Sequence, residues 1–282
     1  MNLTDAINQL PSLKTTVDAH GLLAKKSLGQ NFLLDSNITD KIIRESLRHQ
    51  QIENFSGANV FEIGPGPGGL TRSILRACPE RLTVIEMDDR CISIMEEIKE
   101  KAGDKLNIIN GDALKTRISK LEGDNKHIIS NLPYNISVPL LTSWLEEITS
   151  YKSLTLMFQK EVAERITAPI NCKDYGRLSI LAQLQCRVEK LLDLSPENFV
   201  PAPKIWSSVL LFRPLPETLS AEELKKVEHL TALAFSQRRK MIRQSLKSIS
   251  NLEEICKKID IQTTFRPEQI TPQQFLQLAR GL

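Results

Sequence analysis

The sequence of 282 residues has no apolar run that approaches the ~20 residues a helix needs to cross a bilayer. Its first 24 residues carry Asp5 and Asp18 and lack a long apolar core. They therefore resemble neither a secretory signal nor an arginine-rich transit peptide. We interpret residues 1–24 as a frayed N-terminal extension, and we expect a cytoplasmic protein that does not bind a membrane.

The sequence also lacks a C-x-x-C pair, an internal repeat and a low-complexity tract. Its sparse cysteines and histidines are scattered: Cys78, Cys91, Cys172, Cys186, Cys256, His20, His49, His127 and His229. An odd number of cysteines without a regular spacing argues against a disulfide scaffold and a zinc site. We expect no metal and a reducing compartment.

Charge is nearly balanced, at +3 overall, but it is unevenly distributed. From residue 200 onward, 13 Lys and Arg stand against 8 Asp and Glu. The densest basic run covers residues 236–247, with five cations and no acid. It can be a solvated helix face or a phosphate-binding helix.

Short apolar runs alternate with helical spacing between residues 57 and 160. The predicted strands are Asn59–Ile63, Arg81–Ile85, Asn107–Ile109, His127–Ile129 and Leu154–Phe158, with a late strand at Ser208–Phe212. Helical spacing separates them, for example at Leu70, Ile74 and Ala77. This alternation predicts βαβ units in an α/β fold, with a mainly parallel, Rossmann-like sheet flanked by helices.

The last part of the chain shows only helical patterns after the proline-containing stretch 214–218, which we interpret as a linker. Ser220 with Glu223, Asn251 with Glu254, and Thr271 with Gln274 have the spacing of helix-starting capping boxes. We therefore predict a main domain over residues 25–216 and a small all-helical domain over residues 217–282.

A glycine-rich segment follows the first predicted strand and leads into a helix. Gly64, Gly66 and Gly69 satisfy G-x-G-x-x-G, and Glu86 ends the next strand, where it can bind ribose hydroxyls. This context also fits a dehydrogenase. However, Pro65 and Pro67 have no N–H, so the loop is a poor cradle for a pyrophosphate. The loop favours S-adenosylmethionine, which has no phosphate, over NAD.

Two more acids lie near the expected cofactor site. Asp112 follows the third strand and can accept a hydrogen bond from the cofactor's adenine amine, although it can also be an ordinary turn residue. Glu62 or the Gly64 carbonyl can meet the methionyl ammonium, or Glu62 can be a buried structural acid. Because ligands of open α/β sheets bind at the carboxyl ends of strands, Glu86 and Asp112 together favour a cofactor site.

The segment Ser130–Asn135 follows a buried strand and combines an amide, a proline and an aromatic ring. Pro133 fixes its own backbone and favours an extended Leu132, which leaves backbone carbonyls to face a ligand. Asn131 adds a carbonyl acceptor, and Tyr134 adds a stacking face. This set suits an exocyclic amine such as N6 of adenine, although a strand-ending turn capped by asparagine is the structural alternative.

With these motifs, the chain from about Lys25 to its end resembles the KsgA/RsmA-type rRNA adenine N6,N6-dimethyltransferases. The resemblance is carried by the segments Lys25–Leu33, Gly64–Thr71, Asn131–Ser137, Phe199–Lys204 and Gln237–Lys240. Two departures are Ala202, where the family often has proline, and Ile205–Trp206, where valine and a polar residue are common. Both are conservative for the backbone.

The resemblance implies a set of site residues. S-adenosylmethionine would contact Asn31, Leu33, Gly64, Glu86, Asp112 and Asn131. The catalytic set would be Asn131, Leu132, Pro133, Tyr134 and Phe199, with the rings of Tyr134 and Phe199 enclosing the target adenine. The predicted RNA-binding set, Arg238, Arg239, Lys240 and Arg243, comes from the basic run 236–247, which contains the resembling segment Gln237–Lys240.

The implied reaction is dimethylation of N6 on two adjacent adenosines in the 3′-terminal hairpin loop of small-subunit (16S) rRNA. The implied partner is the small ribosomal subunit or its precursor, and we expect a monomer. Two alternatives are a large-subunit (23S) rRNA adenine methyltransferase of the macrolide-resistance type and a non-catalytic ribosome assembly factor. Leu132 and the later motifs favour the small-subunit enzyme.

Overall fold

The structure is a computed structural model, and it describes residues 2–23 and 30–282. Its strands are β1 (Phe32–Leu33), β2 (Asn59–Ile63), β3 (Arg81–Glu86), β4 (Leu106–Asn110), β5 (Lys126–Ser130), β6 (Ser153–Gln159), β7 (Cys186–Leu194), β8 (Phe199–Val200) and β9 (Ser207–Pro214). Its helices are α1 (Leu3–Asn8), α2 (Leu13–Ala19), α3 (Ser36–Gln50), α4 (Gly69–Arg76), α5 (Asp89–Ala102), α6 (Tyr134–Glu146), α7 (Lys160–Thr167), α8 (Arg177–Gln185), α9 (Ala221–Ser236), α10 (Ile242–Ser245), α11 (Leu252–Lys258) and α12 (Pro272–Arg280). None of these helices is both long and apolar enough to cross a bilayer.

The predicted α/β fold is confirmed. Each predicted strand is present, and the apolar runs that identified β2, β3, β5 and β6 are almost completely buried. Such continuous burial is typical of parallel strands that are covered on both faces. The helical spacing around Leu70 and Ile74 corresponds to α4.

The main sheet has seven strands in the order β4-β3-β2-β5-β6-β9-β7. Pairings β2–β3, β3–β4, β2–β5 and β5–β6 are parallel, and β6–β9 is antiparallel. The chain moves outward from β2 to β4 and then returns to place β5 on the other side of β2. Ligands of open α/β sheets bind at such a reversal, beyond the carboxyl ends of the strands, so Gly64 and Asn131, which follow β2 and β5, border the expected site.

The sheet contains one strand that the sequence pattern did not indicate. The late strand β9 joins the sheet as predicted. The strand that was not predicted is β7 (Cys186–Leu194), which pairs with β9 and forms the edge of the sheet. Charged residues Arg187, Glu189, Lys190 and Asp193 interrupt the apolar run of β7. An edge strand tolerates such charges, which also discourage pairing with other chains.

The prediction of a frayed N-terminal extension is wrong for residues 3–19, which form α1 and α2. Asn2 and Ser12 cap these helices by accepting hydrogen bonds from the backbone N–H groups of Asp5 and Thr15. Ile7 and Leu13 are buried. These short amphipathic helices are stabilised by the apolar surface that they cover rather than by helix propensity.

Two compact units divide the chain. The first comprises residues 1–141, 150–160 and 189–212, and the second comprises residues 142–149, 161–188 and 213–282. The C-terminal helices thus join two segments that come from within the predicted 25–216 domain. A single boundary near residue 216 does not describe this division, because apolar contacts, not chain order, determine which segments pack together.

The second unit is mainly helical, as predicted. Ser220 and Thr271 accept hydrogen bonds from the N–H groups of Glu223 and Gln274, which completes two of the predicted capping boxes. Asn251 precedes α11, but its side chain makes no capping hydrogen bond. Tyr175, at 0% exposure, donates to the Ile270 carbonyl at 2.8 Å and joins two of the segments of this unit.

The basic run does not form the single helix that the phosphate-binding interpretation assumed. Helix α9 ends at Ser236, residues 237–241 form a turn, and α10 covers only Ile242–Ser245. The turn is held by hydrogen bonds from the Ile242 and Arg243 N–H groups to the carbonyls of Phe265 and Thr263. Arg238, Arg239 and Lys240 therefore lie on the turn, Arg243 lies on the short helix, and Lys247 follows that helix.

Candidate functional site

The glycine-rich loop between β2 and α4 approaches two other parts of the chain closely. Gly64 has φ +64°, and a Cβ built on it would lie 3.6 Å from Cδ of Pro133. A Cβ on Gly69 would lie 2.7 Å from the Leu33 carbonyl oxygen, which is closer than real Cβ contacts allow. Glycine at position 69 thus lets α4 begin directly beside β1.

A cavity of about 310 Å³ lies beyond the carboxyl ends of β2, β3 and β5. Its described walls come from four segments and from the strand ends between them: 30–33, the glycine-rich loop, 111–114 and 131–136. The structure thus brings together all six predicted cofactor contacts: Asn31, Leu33, Gly64, Glu86, Asp112 and Asn131. Segment 25–29 of the resembling N-terminal motif lies outside the described residues.

Two carboxyl groups in this wall have raised pKa values. Burial raises the pKa of Glu62 to about 8, against the opposing effect of a 2.7 Å hydrogen bond from the Thr71 hydroxyl, and the nearby Glu86 adds to the rise. Burial also raises the pKa of Glu86, although its Oε1 accepts from the backbone N–H groups of Met87 and Asp88 at 2.8 and 2.9 Å. These bonds fix the Glu86 carboxylate at the cavity wall.

Asp112 lies on the neighbouring wall, one strand further along the sheet. Its Oδ1 accepts from the Leu114 N–H at 2.9 Å, and its Oδ2 lies 3.8 Å from Nζ of the exposed Lys115. The adjacent Gly111 N–H donates to the Glu86 carbonyl at 2.8 Å, which ties this turn to the end of β3. Asp112 therefore has a fixed orientation and can accept a further hydrogen bond through Oδ2.

The side chain of Asn131 is oriented by the N-terminal wall. Its Nδ2 donates to the Asn31 carbonyl at 3.2 Å, so its donor end is committed to the protein. The carbonyl Oδ1 is the end left to accept a hydrogen bond from a ligand.

Next to Asn131, the backbone carbonyls differ in availability. The Pro133 carbonyl accepts from the Ile136 N–H at 3.1 Å as α6 begins. The described hydrogen bonds leave the Leu132 carbonyl available, while the Leu132 side chain is buried. The Leu132 carbonyl is thus better placed than the Pro133 carbonyl to accept a hydrogen bond from a ligand.

Tyr134 lines the cavity, and its hydroxyl is hydrogen-bonded to Oγ of Ser207 at 2.8 Å. Burial raises the pKa of the Tyr134 hydroxyl above its ordinary value. The phenol is neutral at physiological pH and is anchored through its distal end. Its ring is therefore held in place at the cavity wall, where it offers a flat aromatic face.

Phe199 is the one predicted catalytic residue that does not line the cavity. It pairs with Leu33 in the small antiparallel sheet of β1 and β8, and its side chain is 2% exposed. It belongs to the same buried apolar cluster as Phe32 and Leu33. The ring thus packs behind the cavity wall and does not face Tyr134 across an open space.

The chemistry of the wall fits S-adenosylmethionine better than NAD. The described lining residues include three acids, Glu62, Glu86 and Asp112, and no Lys, Arg or His. A pyrophosphate would need backbone or cationic donors, whereas the positively charged sulfonium and ammonium groups of S-adenosylmethionine suit a wall of acidic and carbonyl oxygens whose described residues include no cation. Residues 2–23 and 30–282 contain no group of His, Cys, Asp and Glu that could hold a metal ion.

Sequence reasoning missed a polar network that supports the N-terminal wall. Gln30 Nε2 donates to Asp88 Oδ2 at 3.1 Å, and Asp88 accepts from Arg90 at 2.6 and 3.0 Å. The hydrogen bonds from Arg90 lower the pKa of Asp88 to about 2. The spacing Glu86-x-Asp88-x-Arg90 was visible, but only the fold shows that it reaches Gln30.

In the second unit, the predicted RNA-binding residues are unequally exposed. Arg239, Lys240 and Arg243 are exposed, whereas Arg238 is half-buried and donates to the Cys172 carbonyl at 2.9 Å. Arg238 therefore supports the turn, and the other three can reach a polyanion.

Comparison with known proteins identifies the family of the chain. Residues 21–282 match the family model described as ribosomal RNA adenine dimethylase. The chain is 42% identical, over 97% of its length and 93% of the relative's, to ribosomal RNA small subunit methyltransferase A of Rhodospirillum rubrum. It is 45% identical, over 97% of its length and 98% of the relative's, to the protein of that name from Bartonella bacilliformis.

Solved structures resemble the chain as well. A dimethyladenosine transferase from Plasmodium falciparum superposes with a TM-score of 0.70 at 26% identity, covering 86% of this chain and 94% of that one. The 23S rRNA methyltransferase ErmE shares the fold, with a TM-score of 0.65 at 24% identity, covering 89% and 98%. The family match spans nearly the whole chain and includes every motif that lines the cavity, and the chain therefore belongs to the ribosomal RNA adenine dimethylase family.

Proposed function

We propose that this protein transfers methyl groups from S-adenosylmethionine to N6 of two adjacent adenosines in the 3′-terminal hairpin loop of small-subunit (16S) rRNA, giving N6,N6-dimethyladenosine. The observation that carries the proposal is the orientation of Asn131. Because its Nδ2 is committed to Asn31, its Oδ1 is presented as an acceptor next to an acid-lined cavity.

The chain's residues provide places for each part of the methyl donor. Glu86 would accept hydrogen bonds from the ribose hydroxyls, and Asp112 would accept one from the adenine amine. Glu62 or the Gly64 carbonyl would meet the methionyl ammonium. Asn31 and Leu33 also line the cavity. When bound, S-adenosylmethionine supplies an electrophilic methyl group on a positively charged sulfur.

At the other end of the cavity, the protein makes the adenine amine a better nucleophile. The N6 lone pair is normally delocalised into the ring. Hydrogen bonds from the two N6–H groups to Asn131 Oδ1 and the Leu132 carbonyl would hold the amine so that this pair faces the methyl group of a bound donor. The carbon–nitrogen bond would form as the carbon–sulfur bond breaks, which leaves the donor as a neutral thioether. Pro133 keeps the turn extended. Positioning and fixed dipoles supply the rate enhancement, and the proton released from the methylated amine passes to solvent.

The target base must leave its stack to reach this site. Tyr134 offers one face for stacking, which is worth about 1–3 kcal/mol per base and offsets part of the unstacking cost. We retain Phe199 as the second stacking ring. Because this ring is 2% exposed, the role requires Phe199 to leave the apolar cluster when RNA binds.

We further propose that the substrate is presented on the small ribosomal subunit or its precursor, and that the enzyme acts as a cytoplasmic monomer. The exposed cations Arg239, Lys240 and Arg243, with Arg238 as their support, contact RNA phosphates. The small-subunit target is favoured over the large-subunit alternative because relatives at 42–45% identity carry the small-subunit name.

The test uses small subunits purified from cells that lack this modification, with N6,N6-dimethyladenosine measured by mass spectrometry. The wild-type protein should dimethylate two adjacent adenosines of the hairpin loop. Asn131→Ala should lower kcat by about 10²–10³-fold, because a preorganised acceptor is lost, while cofactor binding is retained in part. Asn37→Ala, which changes an exposed asparagine of α3, is the matched control.

Wild-type turnover by Asn131→Ala would exclude this role for Asn131. Methylation of large subunits and not of small ones would support the large-subunit alternative. Absence of methyl transfer to either, together with retained subunit binding, would support the assembly-factor alternative.

A further inference from the structure

The loop between β8 and β9 exposes an unusual amount of apolar surface. Val200, Ile205 and Trp206 are 52%, 39% and 48% exposed, and Pro201 and Ala202 are exposed as well. The other tryptophan of the chain, Trp144, is 3% exposed. A tryptophan that faces water does not contribute the large free energy that burial of its ring would give to folding. Its exposure therefore indicates that a ligand or a partner binds there.

Both ends of this loop are attached to the cavity wall. At one end, Val200 pairs with Phe32, which lines the cavity. At the other end, Ser207 follows Trp206 directly and holds the Tyr134 hydroxyl at 2.8 Å. The loop therefore borders the end of the cavity where Tyr134 lies, and Trp206 is one residue away from the group that anchors the predicted stacking ring.

Positive charge accompanies the exposed indole. Nζ of Lys160 lies 5.7 Å from the centroid of the Trp206 ring, and the Lys160 N–H donates to the Trp206 carbonyl at 2.8 Å. Lys204 is exposed two residues earlier. The nearby acid Asp193 is paired with Lys190 at 2.9 Å and accepts from Ser208 at 2.6 Å. Among the interactions that lower the pKa of Asp193, the charge of Lys160 makes the smallest contribution, after Ser208 and Lys190.

We propose that Trp206 stacks on the base of the nucleotide adjoining the target adenosine, while Lys160 and Lys204 contact the phosphates beside it. This inference rests on the proposed function and adds to it a second base-binding position. Single-stranded nucleic acid is bound by such combinations of an exposed ring and cations, because every base has a π-face and every linkage carries a negative charge. A protein partner would match the apolar surface but would not need the cation that lies over the ring or a second lysine in the same loop.

The second position also eases the entry of the target base. When one adenosine leaves the stack, its neighbour loses a stacking partner. Trp206 replaces that partner, so the RNA segment is held in a splayed conformation with the target base in the cavity.

The first measurement uses the indole itself. In a Trp144→Phe background, Trp206 is the only tryptophan. We expect a single-stranded RNA oligonucleotide with the hairpin-loop sequence to quench its fluorescence, and Lys160→Gln with Lys204→Gln to weaken that quenching and its salt dependence. If protein-free RNA leaves the fluorescence unchanged and only ribosomal proteins change it, the surface binds protein and the inference is wrong.

The second measurement is methylation of small subunits by protein with native Trp144. Trp206→Ala should raise the KM for subunits about 5- to 50-fold, with unchanged affinity for S-adenosylmethionine. Trp206→Phe should restore most of the affinity, because it keeps a stacking ring. Ile52→Ala, which removes a side chain that is 38% exposed in the same unit, is the control and should have no effect.

An unchanged KM for Trp206→Ala, with an active wild type, would overturn this inference and leave the proposed function intact. An inactive wild type on every subunit preparation would overturn both.

Discussion

At the scale of single residues, the cavity wall contains a buried acid, Glu62, that is protonated at neutral pH. The pKa of Glu62 is raised to about 8, mainly by burial. In the unfolded chain the same group titrates near its ordinary value of 4.5. Between pH 4.5 and about pH 8, the folded state therefore keeps a proton on Glu62 that the unfolded state has lost. Because the folded state binds more protons, the free energy of unfolding falls as the pH rises through this range, by about 1.4 kcal/mol per pH unit.

We therefore expect the free energy of unfolding to fall between pH 6 and pH 8 in the wild-type protein. The fall should be about 2 kcal/mol larger than in the Glu62→Gln variant. Glutamine keeps the shape of the protonated acid and does not titrate. Urea unfolding without added nucleotide measures the difference, and contributions from other groups, such as the buried His127, cancel in the comparison. Equal pH slopes for the two proteins would contradict the raised pKa.

A second residue-scale prediction separates the two parts of Tyr134. Tyr134→Phe keeps the ring and removes the hydrogen bond to Ser207, so it should lower kcat about 2- to 10-fold. Tyr134→Ala also removes the stacking face and should lower the rate at least about 100-fold. Steady-state methylation of small subunits measures both, and similar losses for the two variants would argue against stacking.

At the scale of elements, the N-terminal helices act as a fixed part of the first unit. Arg72 on α4 donates to the Pro11 carbonyl and, at 3.2 Å, to the Thr16 hydroxyl. The guanidinium is buried, and burial lowers its pKa, with Arg76 adding to the effect. Because α4 starts at the glycine-rich loop, this contact ties α1 and α2 to the helix that borders the cavity.

Arg72→Ala should lower the free energy of unfolding by about 2 kcal/mol, because it removes two hydrogen bonds that a charged group donates, to the Pro11 carbonyl and to the buried Thr16 hydroxyl. It should also speed proteolysis between residues 2 and 23. Arg81→Ala, at an exposed arginine of β3, is the control. Unchanged proteolysis in the Arg72 variant would show that α1 and α2 are held without this contact.

The turn between α9 and α10 supports another prediction at this scale. Replacing Arg239, Lys240 and Arg243 together by Ala should weaken binding to small-subunit rRNA at low salt and lower the slope of log K against log salt by about three. Arg238 is kept because it supports the turn. A control that changes Lys225, Lys226 and Lys257 removes the same charge, and an equal effect would show that only net charge matters.

At the scale of the whole molecule, the chain passes between two compact units several times, and the cofactor cavity lies within the first. A ligand of that cavity should therefore stabilise the folded protein by mass action, by about 2.7 kcal/mol at 100 times its Kd.

S-adenosylmethionine should accordingly raise the Tm by several degrees in a thermal melt, whereas NAD at the same concentration should not. Glu86→Ala should abolish the shift, because the ribose loses its acceptor. A shift with NAD alone would restore the dehydrogenase interpretation that the two prolines of the loop argue against.

Local sequence patterns were sufficient to predict an element wherever the residues of one segment determine its conformation. The apolar runs of β2 to β6 and the capping boxes at Ser220 and Thr271 are properties of neighbouring residues, so they could be predicted. The helices of residues 3–19 and the strand β7 could not, because their stability comes from surfaces that distant segments provide. The basic run near Arg239 was also misjudged, since the turn depends on hydrogen bonds to residues 263 and 265.

The sequence alone determined the fold class, the identity of the methyl donor and the residues at the strand ends, because glycines, prolines and acids impose their chemistry wherever the chain places them. Only the tertiary structure decided how those residues are oriented. It commits the Asn131 amide nitrogen to the Asn31 carbonyl, buries Phe199 in the apolar cluster, and leaves Trp206 exposed next to Ser207, the partner of the Tyr134 hydroxyl. Each of these outcomes depends on contacts between segments tens of residues apart, and a linear pattern does not record them.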